Sequence, residues 1–383
     1  MIRPLLAGLL LCLLSLPSCT VLKQSSGQNA LDTGSHLKFL DEYDVPFNAD
    51  FMNTTIGGLS GIDYDPAARQ YYLISDDRSD KNPARYYVAR VVLGENRIDS
   101  VVFTDVRFLH DSTGRVYPNA HQDPYHTPDP EALRRDPLTG NFIWSSEGER
   151  IVRPGRTVLE DPAVTEITSS GKYLDTFELP SQLQMHVEES GPRQNSVFEG
   201  LTFDDQDKNL FVSVEEPLYN DGPRAGLGDS TGLNRILKFD MATRKPVAQY
   251  AYITDPVAYA PVPAGAFKIN GIPDILYIGQ NRLLVIERSY STGRLPCTIK
   301  LYIADLNPAE NIEGIASLKN TLELHTATKK LLFNMDDLGI YIDNIEGVTF
   351  GPRLADGKQS LLFISDNNFN PLQKTQFLLF EIE

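Results

Sequence analysis

The sequence lacks several features that would point to other classes of protein. Three cysteines in 383 residues are too few for a disulfide framework. Apolar residues rarely recur at the three- and four-residue spacing of an amphipathic helix, and prolines interrupt most candidates. Basic side chains are in deficit, with 35 Lys and Arg against 51 Asp and Glu, so the net charge is −16. A surface of that sign repels nucleic-acid phosphates and attracts cations, and we therefore expect no nucleic-acid partner.

What the sequence does contain is typical of a chain built from many short strands. Apolar residues make up 41% of it, enough for a sizeable core, and 27 glycines and 25 prolines are distributed along its length. Turn-forming residues at that density, between short apolar runs, favour strands joined by tight turns. The composition therefore predicts an all-β protein.

The N-terminus is typical of an export signal. A positively charged start is followed by an apolar run, residues 5–16, that is too short to span a bilayer. The run ends in Leu16-Pro17-Ser18-Cys19, which resembles a bacterial lipobox with cleavage before Cys19 and a lipid on its thiol. Pro17 departs from the commonest lipobox, so secretion without a lipid is the alternative.

This interpretation divides the chain into a signal peptide over residues 1–18, a polar tether over 19–35 and one domain over 36–383. Thr20 stands where an Asp would indicate retention in the inner membrane. We therefore predict a monomeric lipoprotein, anchored through Cys19 at the periplasmic side of the outer membrane. Cys297 then has no partner for a disulfide and is expected to be a small core residue.

Five segments of the domain share one pattern: a short apolar strand, a turn, and a second strand that ends in an acid. The clearest example is Phe198-Glu199-Gly200-Leu201-Thr202-Phe203, followed by residues 210–216. The terminal acids are Asp76, Glu147, Glu215, Glu287 and Asp366, which gives steps of 71, 68, 72 and 79 residues. A near-constant period of this size, filled with strands, predicts the blades of a β-propeller.

Strand counts within the period predict five blades, or six if an irregular stretch contains a further one. The units that begin near residues 58 and 198 each contain four strand-like stretches, whereas the last unit contains three before the chain ends. Residues 37–45, the first strand-like stretch of the domain, can supply the missing strand. Closure of the ring by strands from both ends removes exposed sheet edges.

The repeat brings acids to two equivalent points of the blades. Glu131, Glu199 and Glu346 occupy the first point, and the terminal acids occupy the second. The innermost strands of a propeller line its axis, so these carboxylates are expected to crowd together, where they must retain protons or bind cations. Hard oxygen ligands favour Ca²⁺. Two long loops, residues 111–129 and 218–233, are candidates for a lid or a binding rim.

A family resemblance is carried by Asp343-Asn344-Ile345-Glu346-Gly347-Val348-Thr349-Phe350-Gly351-Pro352, followed by residues 361–369. This stretch looks like the C-terminal signature of the phytase-like domain. Other blocks of that family resemble residues 58–79, 129–147, 198–216 and 287–293, so the resemblance covers most of residues 37–383. It implies a propeller in an exported protein and, by analogy with calcium-dependent propeller phytases, hydrolysis of phosphate esters.

The resemblance also implies roles for individual residues on a small anionic or phosphorylated substrate. The implied metal ligands, with Glu131 added by the repeat, are Glu131, Glu199, Glu215, Glu346 and Asp366. The residues implied for catalysis and phosphate binding are Glu199, Arg288, Arg78 and Lys300. Two alternatives stay open: a non-catalytic propeller of the cell envelope that binds a ligand or partner, and a lactonase-like propeller with one central Ca²⁺.

Overall fold

The computed structural model describes residues 31–319, 321 and 323–383. The predicted signal peptide, Cys19 and most of the predicted tether lie outside the described residues. Within them the chain forms 25 strands and two short 3₁₀-helices, Ser181–Leu183 and Met335–Leu338. None of the helices in this part of the chain is long and apolar enough to cross a membrane. The prediction of an all-β fold is confirmed.

One long strand and a short hairpin precede the blades: β1 (Leu37–Val45), β2 (Asp50–Phe51) and β3 (Thr54–Thr55). The first blade contains β4 (Leu59–Asp65), β5 (Gln70–Ser75), β6 (Arg85–Leu93) and β7 (Ile98–Phe108). The second contains β8 (Pro130–Arg135), β9 (Phe142–Ser146), an inserted hairpin of β10 (Glu149–Arg153) and β11 (Arg156–Glu160), then β12 (Ala163–Ile167) and β13 (Tyr173–Thr176).

The remaining blades follow in chain order. The third contains β14 (Phe198–Phe203), β15 (Asn209–Val214), β16 (Gly232–Asp240) and β17 (Lys245–Thr254). The fourth contains β18 (Lys268–Gly271), β19 (Ile275–Gly279), β20 (Arg282–Ser291), β21 (Thr298–Asp305) and β22 (Thr328–Asn334). The fifth contains β23 (Asn344–Arg353), β24 (Gln359–Asp366) and β25 (Thr375–Ile382), with β1 as its outer strand.

The ring is closed by strands from both ends of the described chain, as the strand count predicts. β1 pairs antiparallel with β25, from Leu37 opposite Ile382 to Val45 opposite Thr375. The last blade would otherwise end in an unpaired edge, and pairing with β1 satisfies its backbone groups. The structure therefore has five blades, and a sixth is absent from the described residues.

The core is divided among the interfaces between neighbouring blades, and each interface encloses one hydrophobic cluster. Between the second and third blades, Ile143 packs with Phe198 and Leu201. Cys297 is buried in the cluster between the fourth and fifth blades, in agreement with its predicted place in the core. Because side chains of a strand alternate between its two faces, each blade contributes to two clusters. The five inner strands are thereby held in a fixed arrangement around the axis.

A buried ion pair connects the inner strands of the second and fourth blades. Nη2 of Arg134 on β8 lies 2.9 and 2.7 Å from the two carboxylate oxygens of Asp274, and both residues are almost fully buried. Arg134 also donates to the carbonyl of Ile62 in the first blade, at 2.5 Å, and to that of Val348 in the fifth, at 3.3 Å. Four blades are therefore connected through one guanidinium.

The fourth blade departs from the others. Its inner strand is divided into β18 and β19, which both pair with the long strand β20. The interruption contains Pro273, which has no backbone N–H to donate to a ladder, and Asp274, which turns inward to Arg134. β18 and the end of β20 extend this blade to the wall of the cavity, where Ile269 and Tyr290 lie. The inner strand of the fourth blade is therefore less continuous than those of the other four blades.

Candidate metal centre and active site

The inner strands of the second, third and fifth blades begin at one end of the axis, and a cavity of about 650 Å³ lies there. Five of the eight carboxylates of the repeat line this cavity. The acids that line it are Asp76, Glu131, Glu199, Glu215, Asp343 and Glu346. In the first blade the equivalent of these glutamates is Ser60, whose hydroxyl donates to the carbonyl of Glu131 at 2.6 Å. In the second blade, Ser145 on β9 donates to the carbonyl of Glu199 at 3.1 Å, so serines connect the first blade to the second and the second to the third.

Two overlapping groups of carboxylates have the geometry of a cation site. The first group is Asp76, Asp129 and Glu131, and the second is Glu131, Glu147 and Glu199. In each group, one oxygen per residue lies within 4.8 Å of the others. Ca²⁺ binds oxygens at 2.3–2.6 Å, so oxygens on opposite sides of one ion are separated by up to about 5 Å. Glu131 belongs to both groups and would connect them.

One oxygen of the second group has no hydrogen-bond partner among the described residues. Glu147 is 1% exposed, its Oε1 accepts from the backbone N–H of Val197, and its Oε2 is unpartnered. An unpaired carboxylate oxygen in a buried site is unfavourable unless a cation or a proton satisfies it. The donor set, all carboxylate oxygens, fits a hard cation such as Ca²⁺.

Burial and mutual repulsion raise the pKa of the carboxyl groups in this cluster. The pKa of Glu131 lies well above its usual range because the group is buried and because Asp76 and Glu199 are close. The pKa values of Glu147 and Glu199 are raised for the same reasons, first burial and then neighbouring carboxylates. A cation bound among these groups would oppose the rise and favour their ionised forms.

Arg288 is the cation at the base of the cavity. Its Nη2 lies 2.6 Å from Glu215 and its Nη1 lies 2.6 Å from Glu346, and Nη1 also donates to the side chain of Asn344. Its Nε has no hydrogen-bond partner in the described part of the chain. Gly271 leaves room for this arrangement, because a Cβ there would lie 2.6 Å from Cγ of Glu215. The neighbouring carboxylates keep the pKa of Arg288 above its usual range against the effect of burial.

The structure brings most of the predicted site residues together. Glu131 and Glu199 lie in the carboxylate groups, Glu215 and Glu346 hold Arg288, and Asp366 is buried behind Glu346. Burial raises the pKa of Glu346 to about 8 although Arg288 opposes it. Burial also raises the pKa of Asp366 to about 7, and the backbone N–H of Asn368, 2.7 Å away, opposes this.

Two predicted phosphate-binding residues lie elsewhere. Arg78 pairs with Asp129 at 2.6 Å and with Glu149 at 3.3 Å, beside the first carboxylate group but outside the lining of the cavity. Nζ of Lys300 lies 2.8 Å from Asp255, in a separate ionic cluster of the fourth blade. The long loops 111–129 and 218–233 also contribute no residue to the lining. The second of these loops is anchored to its blade, because buried Asp221 pairs with Arg235 at 2.7 Å.

The predicted site residues leave out two residues of the site, and a signal for both was available. Asp129 stands two residues before Glu131, and Asn344 stands two residues before Glu346. In extended chain, residues two apart lie on the same face. Nδ2 of Asn344 accordingly donates to Oε1 of Glu346 at 2.8 Å. Asp76 and Glu147 were identified as repeat acids but were not included among the predicted metal ligands.

The structure separates Glu287 from the other four repeat acids. Its carboxylate accepts from the hydroxyl of Tyr252 at 2.8 Å and from Nδ2 of Asn270 at 2.9 Å, and Lys329 also donates to it. Arg288, the next residue, faces the cavity instead. Neighbouring residues of a strand point to opposite faces. When Glu287 points away from the axis, Arg288 therefore points toward it, and a base stands where the other blades have an acid.

The chain is similar to several solved structures at low identity. An endo-arabinase from Bacteroides thetaiotaomicron is 10% identical, with 88% of this chain and 96% of that chain covered and a TM-score of 0.42. A gluconolactonase from Xanthomonas campestris is 11% identical, with coverage of 85% and 86% and a TM-score of 0.33. A periplasmic gluconolactonase from Pseudomonas aeruginosa is 12% identical, with coverage of 86% of both chains and a TM-score of 0.33.

No curated protein matches the chain. The family model described as "Phytase-like: Esterase-like activity of phytase" matches residues 54–369, which include all five inner strands and every acid of the cavity. That match covers most of the sequence, and the expected resemblance is confirmed. The chain belongs to the phytase-like family.

Proposed function

We propose that this protein is a hydrolase of phosphoric esters that works with calcium bound at the carboxylate groups of the axial cavity. The observation that carries the proposal is the pair of carboxylate groups joined by Glu131, with the unpartnered Oε2 of buried Glu147, at the base of a cavity large enough for a small substrate. Membership of the phytase-like family supports the reaction class.

The residues that would hold calcium are Asp76, Asp129, Glu131, Glu147 and Glu199. Bound there, calcium would supply charge stabilisation for a phosphoryl oxygen and would make a coordinated water more acidic. The predicted ligands Glu215 and Glu346 have another task in this proposal, because both are engaged by Arg288.

The protein's own residues would bind and orient the ester. Arg288 is held rigidly by two carboxylates and lines the cavity, so its guanidinium is a fixed positive charge beside the place where an anionic oxygen would lie. Glu346 lies beside it in the lining of the cavity and accepts from its Nη1 at 2.6 Å, so it positions the guanidinium. Both groups are buried, so water competes little with these contacts.

The test is elemental analysis of the purified protein together with hydrolysis of p-nitrophenyl phosphate. We expect bound calcium, loss of activity on chelation, and a drop in turnover of about 100-fold or more in Glu131→Gln. Glu95→Gln, which changes an exposed acid, is the matched control and should keep both calcium and activity. Unchanged turnover after chelation, or in Glu131→Gln, would contradict the proposal.

A lactone substrate added to the same experiment separates the two alternatives. Bound calcium with turnover of a lactone, and none of the phosphate ester, would indicate the lactonase-like propeller. Bound calcium without turnover of either substrate would indicate a non-catalytic binding propeller.

We also propose that the protein is exported and acts from a lipid anchor at Cys19, on the periplasmic side of the outer membrane. Support comes from the Leu16-Pro17-Ser18-Cys19 motif after a short apolar run. Labelling of cells with a radioactive fatty acid tests this, and Cys19→Ala should abolish the label. A label that persists in Cys19→Ala, or an unlabelled wild-type protein in the soluble periplasmic fraction, would contradict it.

A further inference from the structure

The cavity has two chemically different sides. One side consists of the carboxylates and Arg288 and comes mainly from the first, second, third and fifth blades. The other side, which we call the apolar wall, consists of Phe267, Ile269, Tyr290, Leu295 and Leu372. These residues come from the extension of the fourth blade, from the turn after β20 and from the loop between β24 and β25.

The apolar wall exposes large hydrophobic side chains to the cavity. Phe267 is 55% exposed, Leu295 is 61% exposed and Leu372 is 78% exposed, while Ile269 is buried beneath them. The rings of Phe267 and Tyr290 contact each other with centroids 6.2 Å apart. Several large apolar side chains exposed on one wall of a cavity mark a surface that a ligand covers.

Cations are scarce in the same cavity. Its lining contains two, Arg288 and Arg294. Arg288 is already paired with two carboxylates, and the guanidinium of Arg294 lies over the ring of Tyr259 at 3.5 Å. A substrate with many phosphates needs several free cationic donors, and this cavity has a surplus of acids instead.

We propose that the substrate is a phosphomonoester whose alcohol part is an apolar, ring-sized group, and that the apolar wall binds this group while the phosphate lies at the carboxylate side. The proposal rests on the proposed function for the identity of the phosphate side and adds the chemistry of the leaving group. The two sides belong to one cavity, so one molecule of this kind contacts both. A highly phosphorylated polyol has no apolar part to cover the apolar wall, and its many negative charges would be repelled by the acids at the base of the cavity.

Binding of two phosphonates that cannot be hydrolysed as esters tests the proposal without turnover. Isothermal titration of the purified, calcium-supplemented protein compares benzylphosphonate with methylphosphonate, which lacks the ring. We expect benzylphosphonate to bind about 10- to 100-fold more tightly, since the ring is removed from water against the wall. In the double variant Phe267→Ala/Leu295→Ser the advantage should fall to within about 2-fold.

A matched control is available on another surface. Phe47 and Leu138 are exposed by 38% and 66% and lie outside the lining of the cavity, so Phe47→Ala/Leu138→Ser should keep the preference for benzylphosphonate. Equal binding of the two phosphonates, binding of neither, or a preference that survives in Phe267→Ala/Leu295→Ser would overturn the proposal. If the protein prefers benzylphosphonate but hydrolyses no phosphate ester, the proposed hydrolase activity is contradicted, whereas binding of an apolar group at the apolar wall is supported.

Discussion

Replacing Arg134 with Met removes the guanidinium that neutralises Asp274 at the axis of the propeller. Asp274 is fully buried, and its remaining donors are the backbone N–H groups of Val348 and Ile275, each at 2.9 Å. Loss of one partner of a buried ion pair costs about 3–5 kcal/mol, because the other charge stays buried without compensation. We expect a loss of that size in the free energy of unfolding at pH 8.

The loss should be smaller at pH 5. Burial raises the pKa of Asp274 to about 6, and Arg134 opposes that rise, so the pKa in Arg134→Met is higher still. A carboxyl group whose pKa is higher in the folded state contributes stability at low pH that is lost as the pH rises through that pKa. The variant therefore loses more stability than the wild type between pH 5 and pH 8. Its deficit should be about 1–3 kcal/mol at pH 5, where protonated Asp274 needs no cation.

The assay is urea unfolding of the wild type, Arg134→Met, Asp274→Asn and the double variant at both pH values. The double-mutant cycle isolates the coupling between the two side chains, which we expect to exceed about 2 kcal/mol at pH 8. Arg97→Met is the control, because Arg97 pairs with Asp99 at 2.6 Å on the surface, and it should cost less than about 0.5 kcal/mol. A coupling energy near zero, or equal losses at both pH values, would refute the reasoning.

Three further predictions concern the site and the closure of the ring. The pKa of Glu346 is raised to about 8, so the metal-free protein should lose stability as the pH rises from 5 to 8. In Glu346→Gln this loss should be smaller by more than about 1 kcal/mol. Urea unfolding measures it, and equal pH dependence of the two proteins would contradict the prediction. Arg288→Lys should lower the free energy of unfolding in urea by about 2–4 kcal/mol, because an ammonium cannot contact Glu215 and Glu346 together as the guanidinium does. A variant as stable as the wild type would contradict this prediction. Deletion of residues 37–45 exposes the edge of β25, so light scattering should detect aggregation at concentrations where the full chain stays monodisperse.

Much of the candidate site was predictable because a repeat converts sequence position into spatial position. Glu131, Glu199 and Glu346 precede a small residue on three inner strands, and the structure places all three on the cavity. The same logic failed at Glu287, because Arg288, one residue further along β20, occupies the position that the terminal acids hold in the other blades. Lys300 was expected to meet phosphate because of the family resemblance, but its ammonium lies with Asp255.

The sequence by itself determined the class of fold, the closure by β1 and the crowding of acids at the axis, and it limited the number of blades to five or six, because these follow from period, strand length and alternation. Only the tertiary structure decided which acids share a cation site, which acids hold Arg288 and that Arg134 reaches Asp274, 140 residues away in the chain. Contacts of this kind depend on separations of a few ångströms between blades. No period in the sequence specifies those separations, because they are set by how the clusters between the blades pack.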